Sequence, residues 1–201
     1  MNTIVDFFLE PYQQVSGINI FLEFIAAILG ITSVFYAKKE NILVYPTGII
    51  STGLYVYLLS QWALYGDLII NIYYTLMSLY GWYMWTRISN KTHKPLKITR
   101  TNYLDNIKAF AIFVFTAIFV IIAYRHYNVM PDLNFMDSIH YGFQKISAGS
   151  LIEFRKATPY LDTFTTAAAF VAMWLMANKK IESWIFWIIT NIVSIPLYFV
   201  K

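Results

Sequence analysis

Six stretches of the chain are apolar for about the length of a bilayer core, and polar residues gather between them. They run over residues 18–37, 41–60, 65–86, 107–124, 160–178 and 182–200. A short loop at 61–64 separates the second from the third. Between 128 and 158 the chain turns polar, with Asp132, Asp137, Lys145, Glu153, Arg155 and Lys156. That segment reads as a long loop holding at most one short surface helix. Gly30, Gly48, Gly53 and Gly81 fall inside the spans, where small residues let helices approach closely. Pro46 and Pro196 also fall inside and are candidates for kinks. The pattern predicts an all-α integral membrane fold with six transmembrane helices.

Composition agrees. Apolar residues make up 58% of the 201 positions and charged residues 13%. Soluble domains hold about 45–50% and about 25%. The length suits a single membrane domain, 1–201. There is no cysteine, which excludes disulfides and thiolate chemistry. The start, MNTIVDFFLEPYQQ, has no basic n-region or small-residue cleavage site, so no removable signal peptide is expected. The net charge of +4 sits in loops beside apolar segments, which suits a membrane surface rather than nucleic acid. The loops after spans one, three and five hold Lys38, Lys39, Arg87, Lys91, Lys94, Lys97, Arg100, Lys108, Lys179 and Lys180, ten of the fifteen basic residues. The positive-inside rule places that side in the cytoplasm and the N-terminus outside.

The chain also repeats itself. AKKENILVYPTGIISTGLYVYL, from Ala37, parallels KKIESWIFWIITNIVSIPLYFV, from Lys179. Aligning Glu40 with Glu182 gives a shift of 142, which pairs Tyr45 with Trp187 and Ile49 with Asn191. Spans one and two then match spans five and six. A three-helix unit repeats in parallel only across a linker helix, and 107–124 is that linker. The expected organisation is a first repeat at 18–86, the linker at 107–124, the polar loop at 128–158 and an incomplete second repeat at 160–200. Span three lacks its counterpart after span six. Parallel repeats of this kind are a known transporter plan with the site near the midplane.

Candidate chemistry concentrates on the last span. Trp184, Trp187 and Asn191 are spaced W-x-x-W-x-x-x-N, and positions i, i+3 and i+7 share one helix face. Two indoles and a carboxamide suit a small, flat, polar ligand. The competing reading is an interfacial aromatic belt. In span three, Asn71, Tyr74 and Ser78 are polar or amphipathic at membrane depth, either pocket lining or helix-to-helix glue. Asp67 suits an N-terminal cap. Tyr45 faces a shared cavity or is a packed aromatic. Glu23 is the acid well inside span one and sits near its outer end. His93, His126 and His140 lie apart in loops, with no metal-binding spacing, no nucleophile elbow and no phosphate loop. No metal, no cofactor and no enzymatic activity are expected.

Two blocks carry a family resemblance. YGDLIINIYYTLMSLYGWYMW, from Tyr65, and TPYLDTFTTAAAFVAMWLMANKKIESWIFWIITN, from Thr158, resemble the PnuC family of vitamin transporters. The likeness covers nearly the whole chain except the N-terminal tail and the 128–158 loop. It implies a three-plus-one-plus-three helix plan like that of the SWEET sugar transporters, here without the final helix. It implies uptake of nicotinamide riboside, with thiamine or another vitamin as the alternative, by facilitated diffusion with alternating access at a bacterial inner membrane. It further implies trapping by a cytoplasmic kinase, and family precedent allows a homotrimer. Trp184, Trp187 and Asn191 would contact the vitamin, and Asn71 and Ser78 would bind its ribose or amide. Glu23 would attract its fixed positive charge. A non-transporting membrane assembly protein is the alternative of another class.

Overall fold

The computed structural model describes residues 15–62, 65–87 and 97–200. The first fourteen residues, Lys91, His93 and Lys94 lie outside that range, as does part of the 61–64 loop. The described residues form seven helices and no named strand. They are α1 (Gly17–Lys38), α2 (Val44–Gln61), α3 (Tyr65–Thr86), α4 (Tyr103–His126), α5 (Phe135–Ser147), α6 (Leu151–Ala177) and α7 (Ser183–Val200). They divide into two compact units, Met1–Pro95 and Leu96–Lys201. Six helices coincide with the six apolar runs. By length and apolar composition α1, α4 and α6 are each able to cross a membrane. The runs behind α2, α3 and α7 also fold as helices. Tyrosines, serines and threonines dilute the first two, and the apolar part of α7 is shorter, Ser183–Leu197.

In the first unit, small residues let α1 and α2 meet closely. The Ser51 hydroxyl donates to the Ala26 carbonyl at 2.7 Å, and that of Ser33 donates to the Val44 carbonyl at 2.8 Å. Gly30 and Gly48 leave the room: a Cβ on either would lie 3.1 Å from the Ser51 or Ser33 hydroxyl oxygen. Helix α3 joins α2 through the Thr75 hydroxyl, which donates to that of Thr52 at 2.7 Å. Pro46 falls in the first turn of α2, where a missing N–H costs no helical bond.

The second unit is built around α6. Its buried side chains are mostly Ala, Thr and Val, and its Val171 and Leu175 pack with Ala109 of α4 and Phe186 of α7. The segment at 128–158 holds the one short helix allowed for it, α5, and α6 begins at Leu151, earlier than its apolar run at 160, in spite of Pro159. A proline inside a helix orphans the carbonyl four residues back. Here that carbonyl belongs to Arg155, and the Thr158 hydroxyl donates to it at 2.7 Å. Helix α4 starts before its apolar run because Asn102 and Asp105 form a reciprocal capping box. Residues 97–102 are clasped to the α6–α7 turn. Backbone bonds join Thr99 N–H to Lys179 O and Ile181 N–H to Thr99 O. The Lys180 ammonium lies 2.8 Å from the Asp105 carboxylate, and Glu182 accepts from the Thr101 N–H at 3.0 Å.

Helix ends, turns and buried positions of the two units correspond at a fixed spacing, which differs from the one aligned on acids. Helices α1 and α6 end at Lys38 and Ala177. Glu40 and Lys179 follow in the left-handed conformation, at φ 53° and 54°. Each is part of a Schellman turn, with Asn41 N–H bonded to Tyr36 O and Lys180 N–H to Leu175 O. Helices α2 and α7 then start at Val44 and Ser183. Their buried positions coincide in order, Ser51 with Thr190 and Leu58 with Leu197. Every pair is 139 residues apart, not 142. The acids misled because they do different work: Glu40 is the left-handed residue, while Glu182 accepts from a backbone amide. The corrected register pairs Tyr45 with Trp184, Gly48 with Trp187 and Thr52 with Asn191.

This register yields a stability prediction. Ser51 satisfies the Ala26 carbonyl, whereas the equivalent hydroxyl of Thr190 is buried with no partner among the described residues. Ser51→Ala should therefore cost about 1 kcal/mol. Thr190→Val should be neutral or stabilising, because burying an unpaired hydroxyl is itself unfavourable. Thermal unfolding in detergent compares them, and equal losses would contradict the assignment.

Candidate functional site

On α7, Trp184, Trp187 and Asn191 fall within a sector of about 60°. The helix forms because its apolar run is uninterrupted from Ile185 to Ile189, and its first turn is set by the Schellman turn before it. Trp184 and Asn191 are exposed, and Trp187 is half-buried. Their neighbours Ile188 and Ile192 are exposed as well. The buried side of α7 is a different one, made by Ser183, Thr190 and Leu197 against α6. The Asn191 amide is therefore exposed, on a side of α7 other than the buried one.

The equivalent face of α2 shows what such a face can do. Tyr45 is fully buried, its ring edge-on to Trp85 with centroids 5.2 Å apart. Gly48 looks across to the Ser78 hydroxyl, and Thr52 is bonded to Thr75. All three contacts are with α3. Tyr45 and Ser78 accordingly sit in the interior of the first unit, where they join helices. The Tyr45 hydroxyl has no hydrogen-bond partner among the described residues.

Asn71 and Tyr74 are half-buried on α3. The Asn71 amide donates back to the Asp67 carbonyl at 2.9 Å, a bond within the helix. Tyr74 lies beside Tyr73, ring centroids 6.1 Å apart. Glu23 is half-buried on α1 and lines a shallow recess of about 240 Å³ with Ile20, Phe24 and Ala27. Asn71 and Tyr74 belong to the first unit, as do Glu23, Tyr45 and Ser78, while Trp184, Trp187 and Asn191 belong to the second.

Two features went unseen in the sequence. Asp162 is half-buried inside α6, and the Tyr124 hydroxyl of α4 donates to its carboxylate. An acid three residues into an apolar run was the available signal, since ionisable groups at membrane depth are held by partners. The second unit also has a recess of about 400 Å³ with Phe110, Phe113 and Phe186 on its walls and Asn106 and Glu182 at its polar end. Neither tryptophan nor Asn191 lines it. Among the described residues no group of His, Asp or Glu is arranged to hold a metal ion.

The nicotinamide mononucleotide transporter family profile matches residues 20–201. The nicotinamide riboside transporter PnuC of Escherichia coli (strain K12) is 26% identical over 181 residues, which is 88% of this chain and 73% of that one. The protein of the same name from Neisseria mucosa is 29% identical over 175 residues, 87% of this chain and 58% of that one. Among solved structures, the crystal structure of the vitamin B3 transporter PnuC matches with a TM-score of 0.60 at 23% identity, covering 98% of this chain and 72% of that one. That likeness speaks for the fold.

Proposed function

The chain belongs to the nicotinamide mononucleotide transporter family, a multi-pass membrane protein of the inner membrane, and from that premise we propose that it carries nicotinamide riboside. The observation that carries this reading is the outward face of α7, where two indoles and an amide share one sector. Nicotinamide riboside is a flat aromatic cation bearing an amide. A ring face attracts such a cation by about 2 kcal/mol when desolvated. The Asn191 carboxamide can donate to and accept from the ligand amide at once. Glu23 draws the cation toward the outer side. The ten-residue basic side faces the cytoplasm and the N-terminus lies outside.

Movement is facilitated diffusion by alternating access. No phosphate-binding loop stands in the sequence to couple flux to ATP. Net uptake is then drawn by a cytoplasmic kinase that phosphorylates the vitamin, and the chain works as a homotrimer.

Reconstituted proteoliposomes test this. Radiolabelled nicotinamide riboside should equilibrate across the bilayer with no ion gradient and should not rise above the outside concentration. Enclosing a nicotinamide riboside kinase with ATP should raise retained label severalfold. Accumulation above equilibrium without the kinase would overturn facilitated diffusion. Flux of thiamine alone would move the substrate to that vitamin. Flux of neither would favour a non-transporting assembly protein.

A further inference from the structure

Helix α5 has three sides. One packs inward: Gly142 lies against the Tyr160 ring, Ser138 against the Arg125 guanidinium, and Lys145 is paired with Glu153. A second side is polar and exposed, with Asp137, His140 and Gln144. The third is apolar and exposed. Phe135, Met136 and Phe143 are 73%, 63% and 69% exposed, and Ile139 and Ile146 lie between them on the same side.

We infer that α5 is an interfacial membrane anchor, its Phe135–Ile139–Phe143–Ile146 side bedded in the boundary between headgroups and acyl chains. Three observations select lipid as the occupant. First, exposed apolar residues flank it along the chain on the two helices either side, both long and apolar enough to cross a membrane. Exposed Phe119 and Ile122 precede it on α4, and Leu151 and Ile152, both about three-quarters exposed, follow it on the first turn of α6. Secondly, apolar and polar sectors lie side by side on one short helix, as a helix lying at an oil–water boundary requires. Thirdly, α5 carries one acid and one base, Asp137 and Lys145, and the base is already paired. The anchor therefore depends on apolar area and not on anionic headgroups. Its inward contacts to Tyr160 and Glu153 fix the start of α6, the core helix of the second unit, at the membrane surface.

The chain has no cysteine, so single cysteines report cleanly. Ile139→Cys and Phe143→Cys would be spin-labelled in the full chain in nanodiscs, beside His140→Cys and Gln144→Cys. Each would be probed with oxygen, which concentrates in lipid, and a nickel chelate, which stays in water. Labels at 139 and 143 should collide severalfold more with oxygen than with nickel, and labels at 140 and 144 the reverse. The contrast should be the same in phosphatidylcholine with or without phosphatidylglycerol. Labels at 139 and 143 as open to nickel as those at 140 and 144 would place the helix in water and overturn the inference. Shielding of 139 and 143 from both probes would mean a protein partner or second copy, and overturn it too. Burial only when phosphatidylglycerol is present would overturn the charge-independent anchor. None of these readouts depends on transport.

Discussion

Gly81→Ala should destabilise the first unit by about 1–3 kcal/mol, the usual cost of overpacking a filled interior, or more. The added methyl would lie 2.2 Å from one Tyr45 ring carbon and 2.5 Å from the next. Those distances are inside van der Waals contact, so the ring or the α3 backbone must move. The ring has nowhere easy to go: it is fully buried and edge-on to Trp85. Gly53 is the control, because a Cβ there meets nothing within 4 Å. Gly53→Ala should be neutral or gain roughly 0.5–1 kcal/mol from the lower cost of ordering alanine in a helix. Thermal unfolding followed by tryptophan fluorescence would separate the two. Replacing the ring by a smaller side chain, Tyr45→Leu, should restore part of the Gly81→Ala loss. That double variant should show a coupling of about 0.5–3 kcal/mol, as contacting residues do. Equal behaviour of Gly81→Ala and Gly53→Ala would mean Tyr45 is not seated against α3.

Trp187→Ala should weaken nicotinamide riboside binding by about 2 kcal/mol, which is roughly a 30-fold rise in Kd. The residue is half-buried between an exposed indole one turn before and an exposed amide one turn after. Its removal takes away a ring face for the cation. Trp187→Phe should recover part of the affinity, since a smaller ring retains a weaker face. Asn191→Leu should cost about 1 kcal/mol, the net value of an ordinary hydrogen bond. Tryptophan quenching titrated with nicotinamide riboside and thiamine reads these changes. Trp62→Phe, in the first unit, serves as the control. An unchanged titration in Trp187→Ala would remove α7 from the binding site.

The helices were legible wherever an apolar run had clean polar borders. Span three is read to the residue at 65–86 because a short loop precedes it and polar residues follow. Within 128–158 the helix α5 is the one short helix the pattern allows, whereas the start of α6 at Leu151 is hidden in the sequence by Pro159 and the charges before it. Thr158 repairs the carbonyl that the proline leaves open, a local bond that hydrophobic patterning does not register. The likeness of the two halves is read from the sequence, but the 139-residue spacing of their turns is not. A shift of three residues nearly completes a helical turn, so both alignments put aromatic residues on similar sides. The left-handed residues Glu40 and Lys179 settle it, and neither is a glycine that would have marked the turn.

The candidate site divides in the same way. The face bearing Trp184, Trp187 and Asn191 follows from helical spacing alone, and its two ends are exposed. Tyr45 and Ser78 carry the same chemistry in the sequence, yet their fate depends on which helix covers them. Gly81 admits the Tyr45 ring, and Gly48 admits Ser78. Membrane class, the placing of helices on the apolar runs and the sharing of a helix face are consequences of composition and periodicity, which act along the chain. The 139-residue register, the Tyr124–Asp162 pair and the division between packed and presented aromatics are consequences of close contact between helices distant in sequence. Those contacts are decided by the room that a glycine leaves or a methyl group fills.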